Sequence, residues 1–369
     1  MPLLVSLLRS TQPAVQGAAA CSLGNLATDS GQQERAVIAI GAVPLLIETL
    51  KSHHLPALQQ AAAGALRCLA SGSQQSKHAL ITAGAVPLLV ASLKSAQSGV
   101  QEQAAGALRS LAAGSQHNKD AIIAAGAVPL VLALLRSDQP GLQQQSAGVL
   151  GSLVAGSRPN EDAIIAAGAV PLLVELLRSD LPALQKAAAS ALWVFAFGSQ
   201  QSKDAIIAAG ATSLLAALLR SDQPFTQRKA AEALMNLAVG LRLKEGASIE
   251  AGSIALLVPL LRVDQPAVQG QAVSALVALA AGSQQSRDAI FAAGAVPLLV
   301  ASLRADQQEE AACVLKCLAA GSQRHKDAII AAGAVAPLVD MLRSDEPAVR
   351  EQAAAALQNL DYDVMRSVM

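Results

Sequence analysis

Over residues 115–156 the apolar and polar positions fall into blocks that predict three helices. Lys119 to Ala125 reads as a short helix, preceded by a polar turn and stopped at Gly126. Val128 to Arg136 reads as a second helix, with Pro129 in the first turn, where a missing N–H costs nothing. Ser137-Asp138-Gln139-Pro140 is a turn whose proline suits the next helix start. Leu142 to Ala155 then gives a long third helix ended by Gly156, with Leu142, Ala147, Leu150 and Leu153 close to the spacing of one amphipathic face. None of the three can bury its apolar face alone, so such a unit must stack on copies of itself.

The copies are present. The phrase Ala-Gly-Ala-Val-Pro-Leu, or its degenerate equivalent, returns with its glycine at Gly41, Gly84, Gly126, Gly168, Gly210, Gly252, Gly294 and Gly333. The spacing is 42 residues, except for a first interval of 43 and a last of 39. A fixed period of this size is the signature of a helical solenoid. The extra residue lies at His53-His54 and the three missing ones follow Asp306, the same point of the repeat, which predicts a loop tolerant of length changes.

These units resemble the armadillo-repeat family, to which importin alpha and β-catenin belong. The residues that carry the resemblance are the runs at 73–114, 115–156, 157–198, 199–240 and 283–321, each approximating SQQSKDAIIAAGAVPLLVALLRSDQPAVQ followed by AAGALRSLAAG. The short first helix and the fixed Gly-Ala-Val-Pro junction favour armadillo over the two-helix HEAT type. The implied fold is all-α, a right-handed superhelical solenoid forming a single domain over 1–369. It would hold a partial repeat at 1–30, about eight three-helix repeats from 31 to 363 and a short tail at 364–369. The implied function is non-enzymatic binding of a protein or extended peptide on a concave face of stacked third helices.

In peptide-binding members that face carries Trp and, four residues later, Asn. Here the Asn line holds Asn25, Asn236 and Asn359, but Cys68, Ser110, Ser152, Val194, Ala278 and Cys317 elsewhere. The Trp line has no aromatic at all; Gly64, Gly106 and Gly148 share it with Ser190, Glu232 and others. The family's gripping ladder is therefore largely missing, and a smooth groove of small side chains is expected. The glycines there admit two readings: close approach of a partner, or a bland one, tight curvature of the stack or drift within duplicated repeats.

Composition sharpens this picture. Of 369 residues 53% are hydrophobic but only 2% aromatic, which suits Ala- and Leu-rich helices better than a β-sandwich. Four of the six aromatic residues, Trp193, Phe195, Phe197 and Phe225, fall in one stretch. Phe195 takes a core leucine position; Trp193 stands beside the groove line, where Arg67 and Arg109 stand in other units. Lys186, Arg228, Lys229, Glu232 and Asn236 surround this stretch, and the unit after it departs from the pattern through Leu241 to Gly246. Tryptophan and arginine dominate many interfaces. The candidate binding residues are thus Lys186, Ser190, Trp193, Val194, Arg228, Glu232 and Asn236, with Asn25 and Asn359.

Charge, at 27 basic against 27 acidic residues, shows no basic excess and so disfavours nucleic acid. Four cysteines form no disulfide framework, which points to a reduced intracellular setting, the cytoplasm, with the nucleus also open. Cys313 and Cys317 stand one turn apart, but smaller apolar filling explains them better than metal, and no cofactor is expected. The five histidines sit in turns or at starts of short helices, where a solvated side chain is the expectation. Phosphate-loop, dinucleotide, zinc-protease and nucleophile-elbow motifs are lacking, so catalysis is not expected. Apolar runs such as 163–177 are shorter than the roughly 20 residues of a membrane span, and no membrane insertion is expected. Residues 1–10 begin at a second helix, which leaves self-association through that end as an alternative function.

Overall fold

The structure, a computed structural model, describes residues 2–52, 55–242, 254–263 and 266–361. Among them every regular element is a helix, and the chain divides into two compact units, 1–209 and 210–369. The irregular unit at Leu241–Gly246, the His53-His54 insertion and the end of the tail lie largely outside the described residues.

The first unit opens with Pro2–Leu7 and Pro13–Asp29, a second and a third helix. Complete triplets follow, such as Gln74–Thr82, Ala85–Ser92 and Ser98–Ala112, then Gln116–Ala124, Ala127–Leu135 and Pro140–Val154. Third helices pack side by side from Pro13–Asp29 through Pro56–Ala70, Ser98–Ala112 and Pro140–Val154 to Pro182–Phe197. In the second unit Pro266–Ala280, Gln308–Ala319 and Pro347–Asn359 pack in the same way. The core is aliphatic: Leu108, Leu111, Val131, Leu150 and Leu153 are wholly buried, and so is Phe195, in the leucine position expected of it.

The first helix of the 115–156 triplet starts three residues before the position predicted from apolar spacing. The side chain of Ser115 accepts from the Asn118 backbone N–H, so a polar cap sets the boundary. Gly126 adopts φ 79°, and the chain turns by 82° between the first and second helices. A Cβ at this glycine would meet nothing within 4 Å, so backbone conformation alone demands it.

The length change after Asp306 is not a loop event. Gln308–Ala319 has 12 residues where Ser98–Ala112 has 15. The deletion removes the first turn of a third helix and leaves the preceding connection intact.

Polar residues at the start of each first helix hold neighbouring triplets together, in two ways. Glu34 is buried and accepts from the backbone N–H and hydroxyl of Ser73 and from the hydroxyl of Ser76, all in the next triplet. Glu161 does the same with Ser199 and Ser202. Burial pushes the Glu34 carboxyl up, but the bonds from Ser76 and Ser73, helped by the charge of Arg35, hold it below the usual carboxylate range. Where the equivalent residue is Lys77, Lys119 or Arg287, the next triplet carries Asn118, Asn160 or His325 instead of a serine. Those side chains reach back to a carbonyl of the preceding third helix: Asn118 to Leu111, Asn160 to Leu153, and His325 Nδ1 to Leu318 at 3.3 Å. Lys119 itself donates to the carbonyl of Ala155, at the end of its own triplet. Burial lowers the Lys119 pKa, against the charge of Asp120.

His325 therefore overturns the expectation of solvated histidines. It is only 3% exposed, its ring lies 4.4 Å from that of Phe291, and its Nε2 stands 3.4 Å from Asp288. It is a junction residue.

Candidate partner-binding face

The first unit carries two distinct surfaces, one along its third helices and one where third-helix ends meet the start of a first helix. The first surrounds Arg67 and Arg109. It includes a groove of about 300 Å³ lined by Cys21, Asn25, Gln60, Gly64, Arg67, Cys68 and Gln103, among others. Asn25, a residue predicted for partner binding, is exposed here. Its backbone carbonyl accepts from Thr28.

Arg67 and Arg109 explain the glycines of this line. A Cβ at Gly106 would sit 2.6 Å from Arg67 Cδ, and one at Gly148 would sit 2.5 Å from Arg109 Cδ. Each glycine is the bed on which the arginine of the preceding triplet lies. Neither partner approach nor curvature is needed at these two positions. Gly64 differs, facing Gln103 at 3.6 Å.

Both arginines are half-buried, and among the described residues neither forms an ion pair. Arg67 Nε is enclosed without a hydrogen-bond partner. Burial, and then the positive charge of Arg67, lower the pKa of Arg109. Sequence inspection passed over this pair because it lies one residue before the Asn line. The available signal was a glycine 39 residues after each arginine, Arg67 to Gly106 and Arg109 to Gly148.

The second surface centres on Trp193 and Phe197. A groove of about 570 Å³ is lined by Val154, Arg158, Glu161, Trp193, Val194 and Phe197, among others. Trp193 and Val194 are half-buried, while Phe197 is 76% exposed. Trp193 and Val194 thus share one groove. Lys186 and Ser190 lie on the same helix, where Ser190 donates its hydroxyl proton to the Lys186 carbonyl at 2.7 Å.

The other predicted residues belong to the second unit. Arg228 is exposed, and its Nε stands 3.9 Å from Glu232; Lys229 pairs with the same carboxylate at 2.8 Å. Both cations lie over the ring of Phe225, at 5.6 and 5.9 Å. Charge and ring thus satisfy one another along this helix. Asn236 is half-buried on it. Asn359 donates its amide to the Lys316 carbonyl at 3.0 Å, a bond between adjacent third helices. Its donor is therefore already engaged by the stack.

Cys313 and Cys317 are half-buried thiols, and burial together with Cys313 pushes Cys317 up. Among the described residues no three His, Cys, Asp or Glu side chains gather as a metal site would need. No single helix among them is long and apolar enough to cross a membrane.

A family model for armadillo/β-catenin-like repeats matches residues 73–113, 115–155, 157–196 and 322–360. No curated protein sequence matches the chain. Among solved structures, an engineered protein from the Northeast Structural Genomics Consortium is 35% identical, with a TM-score of 0.82, covering 97% of this chain and 88% of its own. A designed armadillo repeat protein is 27% identical with a TM-score of 0.61, over 64% of this chain and 99% of its own. Another, in complex with the peptide (KR)4, is 26% identical with a TM-score of 0.59, over 64% of this chain and 98% of its own. With its repeating triplets and left-handed glycine turns, the chain belongs to the armadillo-repeat family, as an all-α solenoid.

Proposed function

We propose that the protein is a non-enzymatic binding scaffold whose stacked third helices take an extended peptide or helix of a partner protein. The groove between Val154 and Phe197 carries this reading. A phenylalanine 76% exposed beside a half-buried tryptophan is an uneconomical way to fill a helical stack, and it is how interfaces present their anchors. A designed relative in the same fold was solved with a bound peptide, which supports the mode in general. The surface is preformed by packed helices, so little ordering is needed on binding. An intracellular, cytoplasmic location accords with four free cysteines.

Selection of a random peptide display library against the full chain tests this reading. Selected peptides should lose about tenfold or more in affinity on Trp193→Ala. Binders indifferent to Trp193→Ala would remove the groove from the account. The alternative, self-association, is separated by light scattering: mass that rises with protein concentration alone would favour it. Leu3, 72% exposed in the Pro2–Leu7 helix, is the apolar residue it would use.

A further inference from the structure

The geometry points to a carboxylate-reading subsite at Arg67 and Arg109, which takes an acidic side chain of an extended protein segment. The inference rests on the proposed third-helix binding face and gives that face a chemical preference.

Three observations converge. First, the arginines are positioned. Each side chain runs across the third helix of the next triplet, over a glycine that leaves 2.6 Å or less for a Cβ, so its stem is held against that helix. Second, their charge is unspent. No ion pair engages either one among the described residues, and Arg67 Nε is enclosed with no acceptor. The nearest acid on the same helix is Glu102, two turns from Arg109. Its carboxylate lies against Gly141 of the next triplet, 2.8 Å from where a Cβ would stand, and not on a guanidinium. Third, a groove of about 300 Å³ opens beside Arg67, walled by Asn25, Gln60 and Gln103. Those amides can hold a peptide backbone while the arginines hold its carboxylates.

Two like charges stacked without an acid are costly, and the cost falls when an anion arrives. Arginine presents a planar fork that matches a carboxylate with two parallel hydrogen bonds. Packed helices stand about 9 Å apart, and an extended chain advances about 3.3 Å per residue. Arg67 and Arg109, one step apart, would thus meet residues about three positions apart. Trp193, two steps beyond Arg109, would meet an apolar residue about six positions further on. A phosphate backbone would offer the same charge, but among the described residues no aromatic lines the groove beside Arg67, and the acids balance the bases over the chain, so the protein carboxylate is the assignment.

Fluorescence anisotropy with labelled octaglutamate, octaglutamine, the peptide (KR)4 and a thymidine oligonucleotide tests it on the full chain. Octaglutamate should bind, octaglutamine and (KR)4 should bind much more weakly, and the double variant R67Q/R109Q should weaken octaglutamate about tenfold or more. R67K/R109K, which keeps charge but loses the fork, should fall between. G106A/G148A, which displaces both side chains without removing them, should also weaken octaglutamate, and circular dichroism should show every variant folded. Octaglutamate binding unchanged in R67Q/R109Q, binding no stronger than that of octaglutamine, or tighter oligonucleotide binding through the same arginines would overturn the assignment. Library peptides that need Trp193 yet ignore R67Q/R109Q would overturn this inference and leave the proposed function standing. Octaglutamate binding through the arginines, with no peptide that needs Trp193, would do the reverse.

Discussion

Two polar regions of the same triplets are built on opposite logic. At the junctions between triplets, Glu34 and Glu161 accept three hydrogen bonds each from the neighbouring repeat, and Asn118, Asn160 and His325 reach back to its carbonyls. Elsewhere in the first unit, Arg67 and Arg109 form no ion pair among the described residues, and Phe197 is 76% exposed. Both regions repeat with the chain, so repetition does not separate fold from function. Satisfaction does. A polar group completed by the next repeat belongs to the stack, whereas a half-buried charge or an exposed ring that the stack leaves uncovered still presents surface.

The comparison can be broken most severely at Glu34. Removing it by Glu34→Ala leaves the buried Ser76 hydroxyl without its acceptor and gives up both bonds from Ser73, which should cost about 2–3 kcal/mol in urea unfolding. Octaglutamate affinity should stay unchanged. R67Q/R109Q should do the converse: peptide binding falls while stability holds or rises slightly, because two half-buried like charges disappear.

The glycines sharpen the same contrast. Gly126→Ala forces an alanine into φ 79° and should cost about 1–2 kcal/mol. Gly148→Ala meets only a flexible arginine stem and gains helix propensity, so its thermal midpoint should barely move.

A smaller effect is expected from pH. The Glu34 carboxyl is lower in the folded state than in the unfolded chain. Its contribution is therefore present above the unfolded value of about 4.3 and is lost as pH falls through the folded value. The stability difference between the wild type and Glu34→Gln should shrink as pH drops below about 4. Asn118→Ala, which loses the bond to the Leu111 carbonyl and the one accepted from the Ser115 hydroxyl, should cost about 1–2 kcal/mol at any pH between about 5 and 8.

The fold was legible because a single period writes the same three helices many times, and Gly126 and its equivalents punctuate it without ambiguity. What escaped was decided between repeats. Gln116–Ala124 begins at a serine cap that carries no apolar signal. The deletion after Asp306 looked like a loop change, but the helix itself gave up the turn. His325 looked solvated because a single triplet, read alone, does not include the neighbour that buries it. Of the candidate site residues, Trp193 and Val194 meet in one groove, whereas Asn359 is absorbed by the stack. Arg67 and Arg109 were overlooked because a family pattern directs attention to its own positions, one residue away.

The chain contains a single tryptophan, Trp193, so the partner face carries its own reporter. Titrating a display-selected peptide into the wild-type protein while following tryptophan emission tests the central claim most directly. A partner seated on the third-helix face should shift the emission to the blue and saturate at the concentration given by anisotropy. Saturable binding by anisotropy with unchanged tryptophan emission would place the partner elsewhere and contradict the account.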